Sequence, residues 1–274
     1  MKSSLVDRVL TGVVAIPLVL GLFYLAHRFS LPWLVGILLS AVALVAGWEY
    51  LELVERLGIR PPRELLLGAT PLYLLLAGLW EGTYALVLGW GVAYLTVIYS
   101  FFRRGYREGF LTSLASIFGF IYIPGLLSFF YLLFRQDLFL AYHFLFIVWG
   151  YDTGAFFAGT LFGKHQLLPR ISLAKTWEGV VGGLILATVG AALYPKFLGD
   201  LGHWAPHILA LGVLVGAFVQ LGDLFESLLK RAAGVKDSGR IFPGHGGMLD
   251  RIDGILASIP VYYFYVRFIL GLLP

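Results

Sequence analysis

The chain has 274 residues, of which 59% are hydrophobic and 13% charged, and its formal net charge is +4. Its mean hydropathy is +0.85, whereas a soluble domain carries about 25% charged residues. An ordinary soluble domain is therefore excluded, and the absence of Cys excludes disulfides and thiolate-ligated metals.

The opening MKSSLVDRVL leads into an apolar run ending at Ala26, which has the outline of a signal peptide. The run is long, no A-x-A cleavage site follows it, and many further apolar runs come after it, so it reads as a first transmembrane helix. Later runs lie near 31–56, 64–80, 83–102, 110–134, 137–162, 176–198, 205–230 and 252–272, the first being near 9–27. Each is close to the 17–25 residues or so that cross a hydrocarbon core of about 30 Å. Pro32, Pro61, Pro62, Pro195, Pro206 and Pro243 punctuate the connections. A β-barrel would instead show alternating segments of about ten residues, and these are absent. The expected fold is an all-α polytopic membrane protein with about nine transmembrane helices.

Charge placement orients these spans. With a cytoplasmic N-terminus, 16 of the 20 Lys and Arg residues fall in cytoplasmic segments. Only Arg28, Arg135, Lys196 and Arg267 fall outside. This bias predicts a C-terminus on the outer side and puts the polar loops 163–175 and 231–251 in the cytoplasm. The basic residues sit in loops between spans, which argues against a nucleic-acid partner. The chain lacks Asn, so it has no N-glycosylation acceptor.

The two halves differ. Residues 1–140 hold almost no ionisable group inside a span, apart from Glu49 and Glu52 near a helix end, and are expected to be scaffold. Residues 141–274 carry the chemically suggestive groups and are expected to form the catalytic half of one integrated membrane domain.

Within that half, Asp152 lies inside the sixth span and Lys175 and Glu178 follow in the next polar segment. The glycines at 150, 154, 159 and 163 are accounted for by close packing of membrane helices, which leaves Asp152 unexplained. GTLFGKH is not a phosphate-binding P-loop, because it is one residue short and has no Ser or Thr after the lysine. The eighth span ends QLGDLFESLLKR, so Asp223, Glu226 and Lys230 share a helical face. An acid mid-helix costs roughly 2.5–3.5 kcal/mol on insertion scales, which points Asp223 toward a polar cavity. For Glu226 an intrahelical salt bridge to Lys230 is an equally good reading.

Asp250 and Asp253, three residues apart after the GHGG turn, point the same way at the start of the ninth helix. Acids at a helix N-terminus are ordinary dipole partners, but two of them beside a third on a neighbouring helix suit Mg2+, with room for a second cation. His245 is either a phosphate contact or a hydrogen-bonded loop residue. Lys230, Arg231, Lys236 and Arg251 can neutralise a triphosphate. Attraction to anionic headgroups is the competing explanation, but it does not call for the interspersed Asp237, Asp250 and Asp253.

The stretch SLLKRAAGVKDSGRIFPGHGGMLDRID, Ser227 to Asp253, resembles the C-terminal signature of the phosphatidate cytidylyltransferases, the CDP-diacylglycerol synthases. Thirteen residues carry the match: Ser227, Lys230, Arg231, Lys236, Asp237, Gly239, Pro243, His245, Gly246, Gly247, Asp250, Arg251 and Asp253. GDLFES, the Asp152 segment and SLAKTWEG at 172–179 are also similar, although Leu173 stands where the family often has proline.

The resemblance implies nucleotidyl transfer from CTP to phosphatidate in phospholipid biosynthesis. It implies Mg2+ on Asp223, Asp250 and Asp253, with these and Lys230 as catalytic residues. It implies phosphate or substrate binding by Lys175, Arg231, Lys236, His245, Arg251, Asp152, Glu226 and Asp237. The expected partners are CTP, phosphatidate and membrane lipids, and glycine-rich helix faces permit a homodimer. The expected location is the cytoplasmic membrane of a prokaryote, with the site facing the cytoplasm. A CTP-dependent lipid kinase is the nearest rival. An ion-coupled transporter is disfavoured because the first half lacks a counterpart of the polar site.

Overall fold

The computed structural model describes residues 16–79, 83–239, 241 and 246–273. The described chain is nearly all helix. It comprises α1 (Ile16–Arg28), α2 (Pro32–Arg56), α3 (Arg63–Leu79), α4 (Thr83–Arg103), α5 (Tyr106–Phe120) and α6 (Leu126–Gln136). These are followed by α7 (Leu138–Phe162), α8 (Trp177–Ala192), a single turn α9 (Pro195–Leu198), α10 (Leu201–Ala232) and α11 (Leu249–Phe264). A π-helical turn at Ile121–Gly125 joins α5 to α6. It contains Pro124, which has no amide to donate, so the ladder accommodates the gap by widening.

Among the described residues the only strands are β1 (Gln166–Leu168) and β2 (Ser172–Thr176). They form an antiparallel hairpin with Gln166 opposite Thr176 and Leu168 opposite Ser172. The polar segment expected as a loop is thus a structured hairpin.

Among the described residues six helices are long and apolar enough to cross a membrane: Pro32–Arg56, Tyr84–Arg103, Tyr106–Gln136, Leu138–Phe162, Leu201–Ala232 and Leu249–Ile269. The apolar helices α1 and α8 are shorter, and α3 has 17 residues. Large apolar side chains such as Leu86, Phe102, Phe162 and Phe268 are exposed on these helices, as lipid-facing residues are. Hydroxyls of Ser40, Thr70, Thr96, Thr188 and Ser258 bond to carbonyls four residues back, which satisfies them without water.

The described residues fall into two compact units, one within Met1–Leu138 and Ala232–Arg251, the other within Phe139–Arg231 and Ile252–Pro274. In the first, the Tyr131 ring fills the space left by Gly36 and Gly78, and its hydroxyl donates to the Pro32 carbonyl at 3.1 Å. The charged turn after α10 belongs to this unit. In the second, buried His143 bridges the Tyr262 hydroxyl at 2.7 Å and the Ala191 carbonyl at 2.8 Å. Gly150 of α7 lies against α8, where an added Cβ would be 2.8 Å from the Leu186 carbonyl oxygen. The glycine spacing therefore serves helix packing, as small residues do between membrane helices.

Candidate active site

In the second unit the site begins with a residue that has no side chain. Gly222 of α10 lies against the backbone of α11. A Cβ there would collide with the Asp253 carbonyl oxygen and come within 2.8 Å of the Ala257 Cβ. Close approach of the two helices brings Asp223 beside Asp253. Glu226 follows on the same face, and ligand atoms of Asp223, Glu226 and Asp253 all lie within 4.8 Å of one another.

Two ammonium groups pair with acids of this cluster. Lys175, on β2, places Nζ 2.6 Å from Asp223 Oδ1. Lys230 pairs with Glu226 Oε2 one turn further along α10. The Glu226 side chain is 1% exposed and that of Lys230 is 11% exposed, so this pair is held away from water. Asp223 is different, at 46% exposed. The salt bridge that the spacing allowed is formed, and the same carboxyl group also faces Asp223 and Asp253. Asp152 of α7 lies within electrostatic reach of Asp253, as do Asp223 and Lys175.

The hairpin is what delivers Lys175. Thr176 Oγ1 accepts from the Gly179 amide at 3.1 Å and caps α8. Glu178 accepts from the amides of Lys164 and His165 at 3.2 Å each and contacts His165 Nδ1 at 2.6 Å. The Trp177 amide donates to the His165 carbonyl at 2.9 Å. Lys175 therefore sits on a strand anchored beside it to a helix start. Arg231 is exposed, and its Nε donates to the Ile171 carbonyl at 3.1 Å, tying the end of α10 to the hairpin turn.

Three carboxyl groups face two ammonium groups among the described residues here, so the ionised cluster carries an excess of negative charge. Hard oxygen donors at this spacing, with charge left to balance, fit a divalent cation such as Mg2+. Asp223, Glu226 and Asp253 are the residues that could hold it.

The other expected site residues lie in the first unit, on the turn that leads into α11. Lys236, Asp237 and Arg251 are exposed. Asp250 Oδ2 accepts from the Ser238 amide at 3.0 Å, the Ser238 hydroxyl at 2.8 Å and the Gly247 amide at 2.7 Å. Gly246 has φ +80°, a conformation suited to glycine, and a Cβ there would also approach Asp250 Oδ2 to 2.5 Å. His245 lies outside the described residues.

Two participants were not assigned to the site from the sequence. Gln220, one turn before Asp223, accepts from the Tyr151 hydroxyl at 2.9 Å. Glu49 of α2 is 3% exposed and reaches the same turn as Asp250. It accepts from the Met248 amide at 3.0 Å, the Leu249 amide at 2.8 Å and the Ser238 hydroxyl at 3.2 Å. The signal available for both was a polar residue at the edge of an apolar helical run, one turn before the next acid, which is costly unless partnered.

With this geometry in view, likeness to known proteins becomes informative. The sequence pattern of the cytidylyltransferase family matches residues 6–269. A phosphatidate cytidylyltransferase of Haemophilus influenzae is 34% identical over 295 residues, covering 96% of this chain and 99% of that protein. One from Thermotoga maritima is 33% identical over 287 residues, covering 98% of each. One from Bacillus subtilis is 45% identical over 118 residues, 43% of this chain and 44% of its own. Matched along nearly its whole length, and with the acids and lysines of its polar face drawn together between helices, the chain belongs to the cytidylyltransferase family.

Proposed function

We propose that this protein is a phosphatidate cytidylyltransferase, converting CTP and phosphatidate to CDP-diacylglycerol and pyrophosphate. One observation carries the reading onto these residues. Asp223, Glu226 and Asp253 converge with Lys175 and Lys230 at the ends of apolar helices, where a lipid headgroup and a water-borne nucleotide can meet.

A phosphatidate oxygen attacks the α-phosphorus of CTP, and a new P–O bond forms. The bond from that phosphorus to the oxygen bridging to the β-phosphorus breaks, and pyrophosphate leaves with the electron pair. Phosphatidate is already anionic at pH 7, so the attack needs no general base. Catalysis is then positioning and charge neutralisation. Lys175 and Lys230 are held by their acids at the cluster, and we assign them, with Arg231 and Lys236, to the phosphates. Asp152, Asp237, His245 and Arg251 complete the assigned substrate-binding set. Asp223 and Asp253, with Glu226 beside them, would hold Mg2+, which supplies positive charge to the phosphoryl oxygens when bound, and we assign Asp250 to the same role. A second cation fits the same acids.

The nine-span topology, with a cytoplasmic N-terminus and an outer C-terminus, belongs to this proposal. So does a place in the inner membrane of a bacterium with the site facing the cytoplasm. The distribution of 16 of 20 basic residues supports this orientation. A homodimer is left as part of the same reading.

The test is to incubate purified protein with phosphatidate, Mg2+ and CTP labelled in the cytosine ring. Label passing into the organic phase, with pyrophosphate released, is the expected result. Label remaining wholly in water would sink the reading, and release of CDP would point to a lipid kinase.

A further inference from the structure

Glu49 lies in the half expected to be scaffold, yet its carboxylate ends in the turn that carries Asp250. It is separated from Ser238 by 189 residues and from Leu249 by 200. Among the described residues it accepts from the Ser238 hydroxyl and from the amides of Met248 and Leu249. The two amides belong to the start of α11, so Glu49 serves as an N-terminal cap supplied from a distant helix.

Ser238 links the two acids. Its hydroxyl lies 3.2 Å from Glu49 Oε2 and 2.8 Å from Asp250 Oδ2, while its amide lies 3.0 Å from Asp250 Oδ2. The surrounding residues leave no slack. A Cβ on Gly239 or on Gly247 would run into the Glu49 carboxylate. Two glycines of the signature stretch are thus shaped around a carboxylate that lies outside that stretch. A buried carboxylate that only needed neutralising would be expected to pair with a cation. Among the described residues Glu49 instead faces backbone amides, a hydroxyl and two glycines.

We infer that Glu49 is a positioning residue for nucleotidyl transfer: it clamps the Ser238–Leu249 turn and, through Ser238 and the start of α11, sets where Asp250 is presented. This rests on the reading that Asp250 serves the transferase reaction. A displacement of about 1 Å at a reacting group can cost about a hundredfold in rate, so an acid far from the chemistry in sequence can govern it.

The experiment compares wild type, Glu49→Gln and Ser238→Ala, each purified in detergent, by steady-state kinetics and by hydrogen exchange of the 246–250 amides without metal or substrate. For Glu49→Gln the amides of Met248 and Leu249 should exchange at least about tenfold faster. Its kcat should fall by about tenfold or more, with KM for phosphatidate changed by less than about twofold. Faster exchange with a wild-type kcat would reduce Glu49 to a structural cap and overturn the inference, and unchanged exchange would overturn it too. If Glu49→Gln does not fold, Ser238→Ala decides. That variant keeps the helix cap and removes the hydroxyl bridge, and its kcat should fall by about threefold or more. An unchanged kcat would reject the role. Wild-type protein that makes no CDP-diacylglycerol would instead reject the transferase reading itself.

Discussion

Lys175 Nζ lies 2.6 Å from Asp223 Oδ1, joining a hairpin strand to a membrane helix across 48 residues of sequence. The lysine is mostly buried and the aspartate is half exposed, so the lysine is committed to this pair while the aspartate keeps a face open. We therefore expect Lys175→Met to lower kcat/KM for CTP by at least about tenfold, the scale of one lost charge-assisted contact of about 1.5–3 kcal/mol. Its thermal midpoint should change little. Wild-type kinetics would remove Lys175 from the site.

Asp223 and Glu226 should separate activity from stability. Asp223→Asn should lose about a hundredfold or more in kcat with a smaller fall in thermal midpoint than Glu226→Gln, because Lys175 loses its partner but the replaced aspartate is half exposed. Glu226→Gln leaves Lys230 buried without its carboxylate, a loss of about 3–5 kcal/mol for a buried pair broken on one side. Its midpoint should fall clearly. Thermal melts in the same detergent check this, and equal midpoints would contradict the difference in burial.

Gly222 is a packing residue with a catalytic consequence. Gly222→Val pushes a side chain into the Asp253 carbonyl and Ala257. It should destabilise by about 1–3 kcal/mol, as overpacking does. It should also abolish most activity by parting Asp223 from Asp253. Measured kcat within about threefold of wild type would show that the spacing of the acids is not critical.

Metal removal offers an independent check. Chelation should abolish turnover, and Mg2+ should restore it, since Asp223, Glu226 and Asp253 offer hard carboxylate oxygens. Ca2+ prefers longer distances and more ligands, so it should restore much less. Full activity in excess chelator would exclude a metal role for these acids.

The native chain has no Cys, so single introduced cysteines report topology without background. Lys236→Cys, at an exposed position, should react with an impermeant maleimide in inverted membrane vesicles and not in intact spheroplasts. The opposite pattern would reverse the proposed orientation.

By itself the sequence determined the helical, membrane-embedded character of the chain, because the length and hydropathy of each run are local properties set by the bilayer. It also marked the chemistry, since charge amid apolar helices is too costly to be incidental. Asp223 and Asp253 were legible in this way, and helical spacing aligned Glu226 and Lys230 with the first of them.

Which groups share a cluster was decided only by tertiary structure. Asp253 meets Asp223 because Gly222 removes a side chain between two helices. Lys175 arrives because a segment read as a loop closes into a hairpin. Glu49 reaches the Ser238–Leu249 turn across about 190–200 residues, and no local pattern encodes that contact. Local periodicity reports the face a residue occupies, whereas only the packed backbone decides what that face meets.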